Sequence, residues 1–289
     1  MSDSFSTDEA TLYDRQIRLW GINAQQRLKN ANILVLGMNA VNSEITKCLV
    51  LAGINSLTVV DDKQSTIEDS FGNLFVTDQI GENRALACES QVKLLNSNVK
   101  ICCQNSSIKE LLQDEKMFES FHIVVMSDET MAIAEDVSEV CRKKCIPFVF
   151  VDSCLQFGLA FFDIVNKFDG IKFKSMKESF SNYNFNSSSI NKRLRTKFEN
   201  LLNFYKLFDQ TKRNNISDDE REKLLKQIQS QHGISIGTLV KPTYSASIIG
   251  GLTAQNIIRI ITGESFKQNL LIMDCFDNSI GVQFVNIGS

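Results

Sequence analysis

Between Ala31 and Asp152, short β-branched runs alternate with stretches whose apolar residues recur at helical spacing. ANILVLG (31–37) reads as a buried strand, NSEITKCLVLAG (42–53) as a helix and SLTVVDD (56–62) as a second strand, which together form one βαβ unit. NRALACESQVKLLN (83–96) then reads as an amphipathic helix, KICCQN (100–105) as a strand and HIVVMS (122–127) as another buried strand. A helix through Cys145 and a strand PFVFVD (147–152) complete the series. Strands apolar on both faces and joined by crossover helices predict an α/β fold with a doubly wound, mostly parallel sheet.

The character changes after Phe157. FGLAFFDIV (157–165) reads as a strand, and residues 166–191, rich in Ser, Asn, Lys and Phe, show no steady period and read as a loop-rich excursion. Residues 190–211 look helical, and Ser217 with Glu220 three positions later marks the start of another helix running to Gln231. Beyond Pro242, YSASIIGGLTAQNIIRIITG (244–263) predicts a long helix whose small residues, Ser245, Ala246, Ser247, Gly250, Gly251 and Ala254, allow close approach to a neighbour. A hairpin over LLIMDCFDNSIGVQFVNIG follows. The expected division is 1–165, a Rossmann-like module; 166–240, an irregular and helical insertion; and 241–289, which completes the module.

Composition narrows the function classes. A chain of 289 residues with 43% hydrophobic side chains and a mean hydropathy of −0.10 can bury a substantial core. A net charge of −3 removes a whole-chain electrostatic case for nucleic-acid or anionic-membrane binding, so neither partner is expected. Local charge is uneven: seven Lys and Arg between 192 and 213 face only Glu199 and Asp209, which suits a solvated helix face, a docking surface or a nuclear-import determinant. No apolar run reaches the roughly 18–20 residues of a membrane span, and Met1–Ala10 is too acidic and polar for a secretory signal, so the chain is expected inside the cell. Most of the eight cysteines (Cys48, Cys88, Cys102, Cys103, Cys141, Cys145, Cys154 and Cys275) lie in apolar strings and are expected buried and reduced. With no CxxC pair and only His122 and His232 as imidazoles, no metal site is expected.

The first strand runs straight into Gly37-Met-Asn-Ala-Val-Asn-Ser-Glu44, where a nucleotide-binding loop belongs. Such loops use glycine because a Cβ keeps the backbone from phosphate oxygens. Gly37 remains, but Asn39, Ala40 and Asn42 stand where later glycines would be. The loop is therefore expected to keep its shape and bind no cofactor. Asp61 or Asp62 closes the second strand, where an acid can grip a ribose or cap the next turn. Arg84 opens a helix, where it can meet a phosphate or lie on the surface.

LYDRQIRLWG (12–21), the βαβ unit after it, IGENRA (80–85) and YSASIIGGLTAQNIIRIITG make the chain resemble the ubiquitin-like-protein activating enzymes, over Leu12–Gly158 and Lys241–Gly288. The resemblance implies a ThiF/MoeB-type adenylation module, here with a pseudo-nucleotide site in which Asp61 and Arg84 are vestigial. Family members pair two such modules, one of which binds ATP and magnesium, adenylates the modifier and passes it to a cysteine. This chain is similar to the other one. VVMSDET (124–130) departs from the family's L-D-N pattern, so neither Asp128 nor Glu129 is taken as a metal ligand; both read as solvated loop acids. The 72 residues from Phe168 to Leu239 contain no Cys and are too short for a thioester domain or the helical insert of neddylation partners. They suit the smaller subunit of a SUMO-type heterodimer, whose partners are a larger catalytic-cysteine subunit and a SUMO-type modifier, and whose location is the nucleus and cytoplasm. Within the YDRQ segment the resemblance implies that Arg15 acts as an arginine finger in trans on the partner's ATP; the alternative is a surface pair with Asp14 or Asp8. Tyr13 and Trp20 are expected to anchor the segment, and Arg18 to be structural. Rival readings are a regulatory subunit for another modifier, a homodimeric sulfur-carrier adenylyltransferase, a non-enzymatic scaffold and an NAD-linked oxidoreductase.

Overall fold

The computed structural model describes residues 6–76, 78–154, 157–165, 173–181, 243–265, 268–274 and 281–285, with scattered positions between 209 and 230. Three short helices open the chain: α1 (Thr7–Leu12), α2 (Asp14–Trp20) and α3 (Ile22–Lys29). Ser6 and Glu9 start α1 with a reciprocal capping box. Gly21, at a φ of 86°, separates α2 from α3, a conformation that a side chain would strain.

The expected alternation then follows: β1 (Asn32–Leu36), α4 (Ala40–Ala52), β2 (Ser56–Val60), α5 (Ile67–Ser70), α6 (Arg84–Leu95), β3 (Lys100–Gln104), α7 (Ile108–Gln113), a 3₁₀ turn over Glu115–Ser120, β4 (Ile123–Met126), α8 (Met131–Lys143) and β5 (Phe148–Cys154). β6 (Phe157–Asp163), α9 (Met176–Ser181), α10 (Thr243–Thr262), β7 (Leu270–Asp274) and β8 (Gly281–Val285) complete the described elements. They form one eight-stranded sheet in the order β3-β2-β1-β4-β5-β6-β7-β8. β3 through β5 run parallel. β6, β7 and β8 continue the sheet antiparallel, with β7 and β8 as the expected C-terminal hairpin.

The apolar runs are continuous because the sheet is covered on both faces. Ile33 and Val35 of β1 enter a core with Val41, Ile45 and Leu49 of α4, Val92 of α6 and Ile257 of α10. Leu34 and Leu36, one residue out of phase, enter a second core with Leu111 of α7 and Val137 and Cys141 of α8. The small residues of α10 act at its contact with α4: a Cβ on Gly250 would fall 2.9 Å from the Val41 carbonyl oxygen and from the Glu44 Cβ. That contact fixes α4, on whose two ends the candidate site is built.

One expectation changes. Of the six cysteines whose side chains are described, only Cys88 and Cys141 are buried; Cys48 and Cys103 are half-buried, and Cys102 and Cys145 are exposed. The reason is position: β3 is an edge strand, so Cys102 lacks the second neighbour that central strands have, and Cys145 occupies the turn after α8 at a φ of 55°. The basic stretch 192–213 and most of the 166–240 insertion lie outside the described residues.

Candidate functional site

The turn from β1 to α4 is the nucleotide-loop counterpart, and its side-chain amides find their acceptors within it and on β4, while Asn42 Oδ1 is buried without a hydrogen-bond partner. It faces the crevice between β1 and β4, where the strand order reverses and open α/β sheets take their ligands. Gly37, at a φ of 80°, lies so close to β4 that a Cβ would fall 2.5 Å from the Ser127 carbonyl oxygen. Asn39 caps α4 by accepting from the Asn42 amide at 3.0 Å and donates across the crevice to Ser127 Oγ at 2.8 Å. Asn42 turns its Nδ2 back onto the carbonyls of Leu36 and Gly37, at 3.0 and 2.6 Å. The side chains that replace glycine thus bond the loop to itself.

Asp61 and Arg84 occupy the remaining ground. Asp61 Oδ2 accepts from the Met38 amide at 2.7 Å, taking a loop N–H that an anion would need, and from Arg84 Nε at 2.8 Å. Its Oδ1 accepts from the Lys63 amide at 3.0 Å, the turn-capping bond open to a strand-end Asp. Arg84 is not a surface residue: its side chain is 5% exposed, and its Nη1 lies 3.0 Å from Asp128 and 3.4 Å from Asp69. Burial opposes the guanidinium charge, but Asp128, Asp61 and Asp69 outweigh it and hold the group protonated above its ordinary range. Three carboxylates neutralise a cation that would otherwise attract phosphate.

Asp128 and Glu129 are not solvated loop acids either. Lys63 Nζ pairs with Glu129 at 2.9 Å and Asp128 at 3.4 Å, and these two carboxylates raise its pKa despite its burial. Among the described residues no group of three or more His, Cys, Asp and Glu is placed to hold a metal ion. Beside the network a cleft of about 480 Å³ is lined by Asp62, Lys63, Lys109, Asp128 and Thr130, among others. With its loop amide taken and its glycines filled, the β1–α4 turn does not fit a bound triphosphate.

The opposite end of α4 holds the YDRQ segment. Tyr13 is buried, and its ring lies on Gly53, where a Cβ would fall 2.5 Å from Cζ; its hydroxyl accepts from Asn96 Nδ2 at 2.8 Å. Trp20 Nε1 donates to Gln25 Oε1 at 3.0 Å. Both aromatic residues anchor the segment to this chain. Arg18 pairs with Asp14 at 3.1 Å, which removes the acid nearest Arg15. Arg15 is exposed and makes no hydrogen bond or ion pair among the described residues. Because α4 has 13 residues, about 20 Å at 1.5 Å per residue, Arg15 stands a helix length from its own chain's loop. On the same segment and the adjoining end of α4, Leu12, Leu19, Ile22 and Leu51 are 59%, 77%, 57% and 47% exposed.

Sequence reasoning singled out Arg15, Gly37, Asn39, Ala40, Asn42, Asp61 and Arg84. The structure brings all but Arg15 to one end of α4, and Ala40 contributes only the first residue of that helix. Ser127, Asn73 and Lys63, which hold the loop or its acids, and Gln16, Gln25 and Asn96, which hold the Arg15 segment, went unnoticed. Each acts through contacts with residues far away in sequence, which leave no periodic signal.

The ThiF family model matches residues 13–289. A SUMO-activating enzyme subunit 1 from Dictyostelium discoideum is 30% identical, over 93% of this chain and 89% of that protein. The protein of the same name from Xenopus tropicalis is 34% identical over 55% of this chain and 46% of its own length. A solved structure of PaaA, at 16% identity, superposes with a TM-score of 0.66 over 99% of this chain and 86% of that one, which shows the shared fold.

Proposed function

This chain belongs to the ThiF family, and from that membership we propose that it serves as the smaller, non-cysteine subunit of a SUMO-activating heterodimer. The larger subunit binds ATP and magnesium, adenylates the modifier's C-terminal carboxylate and then takes it onto its own cysteine. The observation that carries this reading is the pairing of a self-filled loop at one end of α4 with an unpaired arginine at the other.

Attack of the modifier carboxylate on the α-phosphate expels pyrophosphate, so negative charge grows on the leaving oxygens. A guanidinium fork placed beside them stabilises the transition state more than the ground state. Arg15 is out of reach of its own loop, and its charge is committed to no acid among the described residues, so it supplies that fork to the partner's nucleotide. The exposed apolar side chains around it form part of the surface the larger subunit covers. Residence in the nucleus and cytoplasm belongs to the same reading.

Catalysis by the separated and combined chains tests the proposal. The isolated chain should show no ATP–pyrophosphate exchange and no thioester with the modifier, and should bind labelled ATP weakly in equilibrium dialysis; mixing with the larger subunit should give both reactions. Micromolar ATP binding or exchange by this chain alone would favour the homodimeric adenylyltransferase reading instead.

A further inference from the structure

The last turn of an α-helix leaves carbonyl oxygens without intrahelical donors. In α4 three consecutive ones are each met by a side-chain amide. The Val50 carbonyl accepts from Asn96 Nδ2 at 3.0 Å, Leu51 from Gln16 Nε2 at 3.2 Å and Ala52 from Gln25 Nε2 at 2.8 Å. Gly53, at a φ of 81°, closes the helix with its own amide on the Val50 carbonyl. Every one of these amides is also tied to the segment that carries Arg15. Gln16 is its next residue, Gln25 accepts from Trp20, and Asn96 donates to the Tyr13 hydroxyl.

We infer that Gln16, supported by Gln25 and Asn96, is a positioning residue that aims Arg15 by fixing α2 to the C-terminal carbonyls of α4. The inference rests on the reading of Arg15 given above and adds how its direction is set. Arg15 itself makes no side-chain hydrogen bond or ion pair among the described residues, so its direction comes from the helix beneath it. α2 is only seven residues long, too short to hold its axis without tertiary contacts. Tyr13 fixes its start, Trp20 its end and Gln16 the turn between. An arginine finger works only while its fork meets the developing charge, and a displacement of about 1 Å can cost on the order of 100-fold in rate.

The test is a double-mutant cycle in the reconstituted heterodimer. Gln16→Glu keeps the side chain's shape but replaces the donor by a carboxylate facing a carbonyl. It should lower kcat for pyrophosphate exchange on the order of 10-fold to 100-fold, with KM for ATP little changed. Gln16→Lys, which can still donate to the Leu51 carbonyl, should recover most of the rate. In an Arg15→Ala background Gln16→Glu should change the rate by less than about 2-fold, because the group it aims is gone. Gel filtration and circular dichroism should show every variant folded and assembled. A wild-type rate for Gln16→Glu, or a loss of equal size in the Arg15→Ala background, would overturn the inference while leaving Arg15 in place. If Arg15→Ala alone leaves exchange unchanged, the reading of Arg15 falls and the inference with it.

Discussion

The two ends of α4 use the same kinds of side chain to opposite effect. At the N-terminal end Asn39, Asn42, Asp61 and Arg84 bond one another and the loop backbone, so the Met38 and Asn42 amides and the Arg84 charge are already engaged. At the C-terminal end Gln16, Gln25 and Asn96 also bond the backbone, with Tyr13 holding Asn96, but the cation beside them is left out. One end is a structural joint, closed on itself. The other is a capped helix terminus beside a cation that no acid among the described residues answers. Polar density alone therefore does not mark a functional site; what matters is whether a charge remains that no neighbour answers.

Removing one member from each end should give losses of different size and kind. The largest stability effect is expected from Asp61→Ala, which leaves Arg84 buried without its nearest carboxylate and frees the Met38 amide. A cost of about 3–5 kcal/mol is expected for such a broken buried pair, read as a shift in the urea midpoint. ATP binding should not appear in this variant, since Asn39 and Asn42 still fill the loop. Gly53→Ala should follow at about 2–4 kcal/mol, because alanine disfavours the left-handed backbone and its Cβ meets the Tyr13 ring. Arg18→Ala should be nearly silent, at about 0.5 kcal/mol or less, since its pair with Asp14 is solvent-exposed. Were Arg18→Ala to cost as much as Asp61→Ala, the contrast between a committed and an open end would be lost.

Much of this was legible in the sequence, and the boundary is a physical one. The strands and helices around β1, α4, β2 and β4 declare themselves through apolar spacing, because burial on two faces demands it at every residue. The loss of loop glycines at 39, 40 and 42 was equally readable. The partners of the remaining polar groups were not: Asp61 and Arg84 suit a ribose and a phosphate as well as they suit each other, and only their approach to 2.7 Å decides. Gln16 and Gln25 reach carbonyls 35 and 27 residues away, and a carboxamide in a helix gives no sign of such a target. The burial of cysteines was overestimated on β3, since an apolar string does not tell an edge strand from a central one. Among the cysteines, burial pushes the Cys48 thiol up to about 11, whereas Cys102 and Cys145 lie exposed. Thiol labelling at neutral pH should therefore modify Cys102 and Cys145 well before Cys48, and faster labelling of Cys48 would contradict the packing of α4.

The central claim is that Arg15 acts on a nucleotide held by another chain. Pyrophosphate exchange by a heterodimer carrying Arg15→Ala, with gel filtration to confirm assembly, tests it most directly. The account predicts an intact complex whose exchange is slower on the order of 10³-fold, with little recovery in Arg15→Lys because an ammonium cannot reproduce the guanidinium fork. Unchanged exchange in an assembled heterodimer would contradict it.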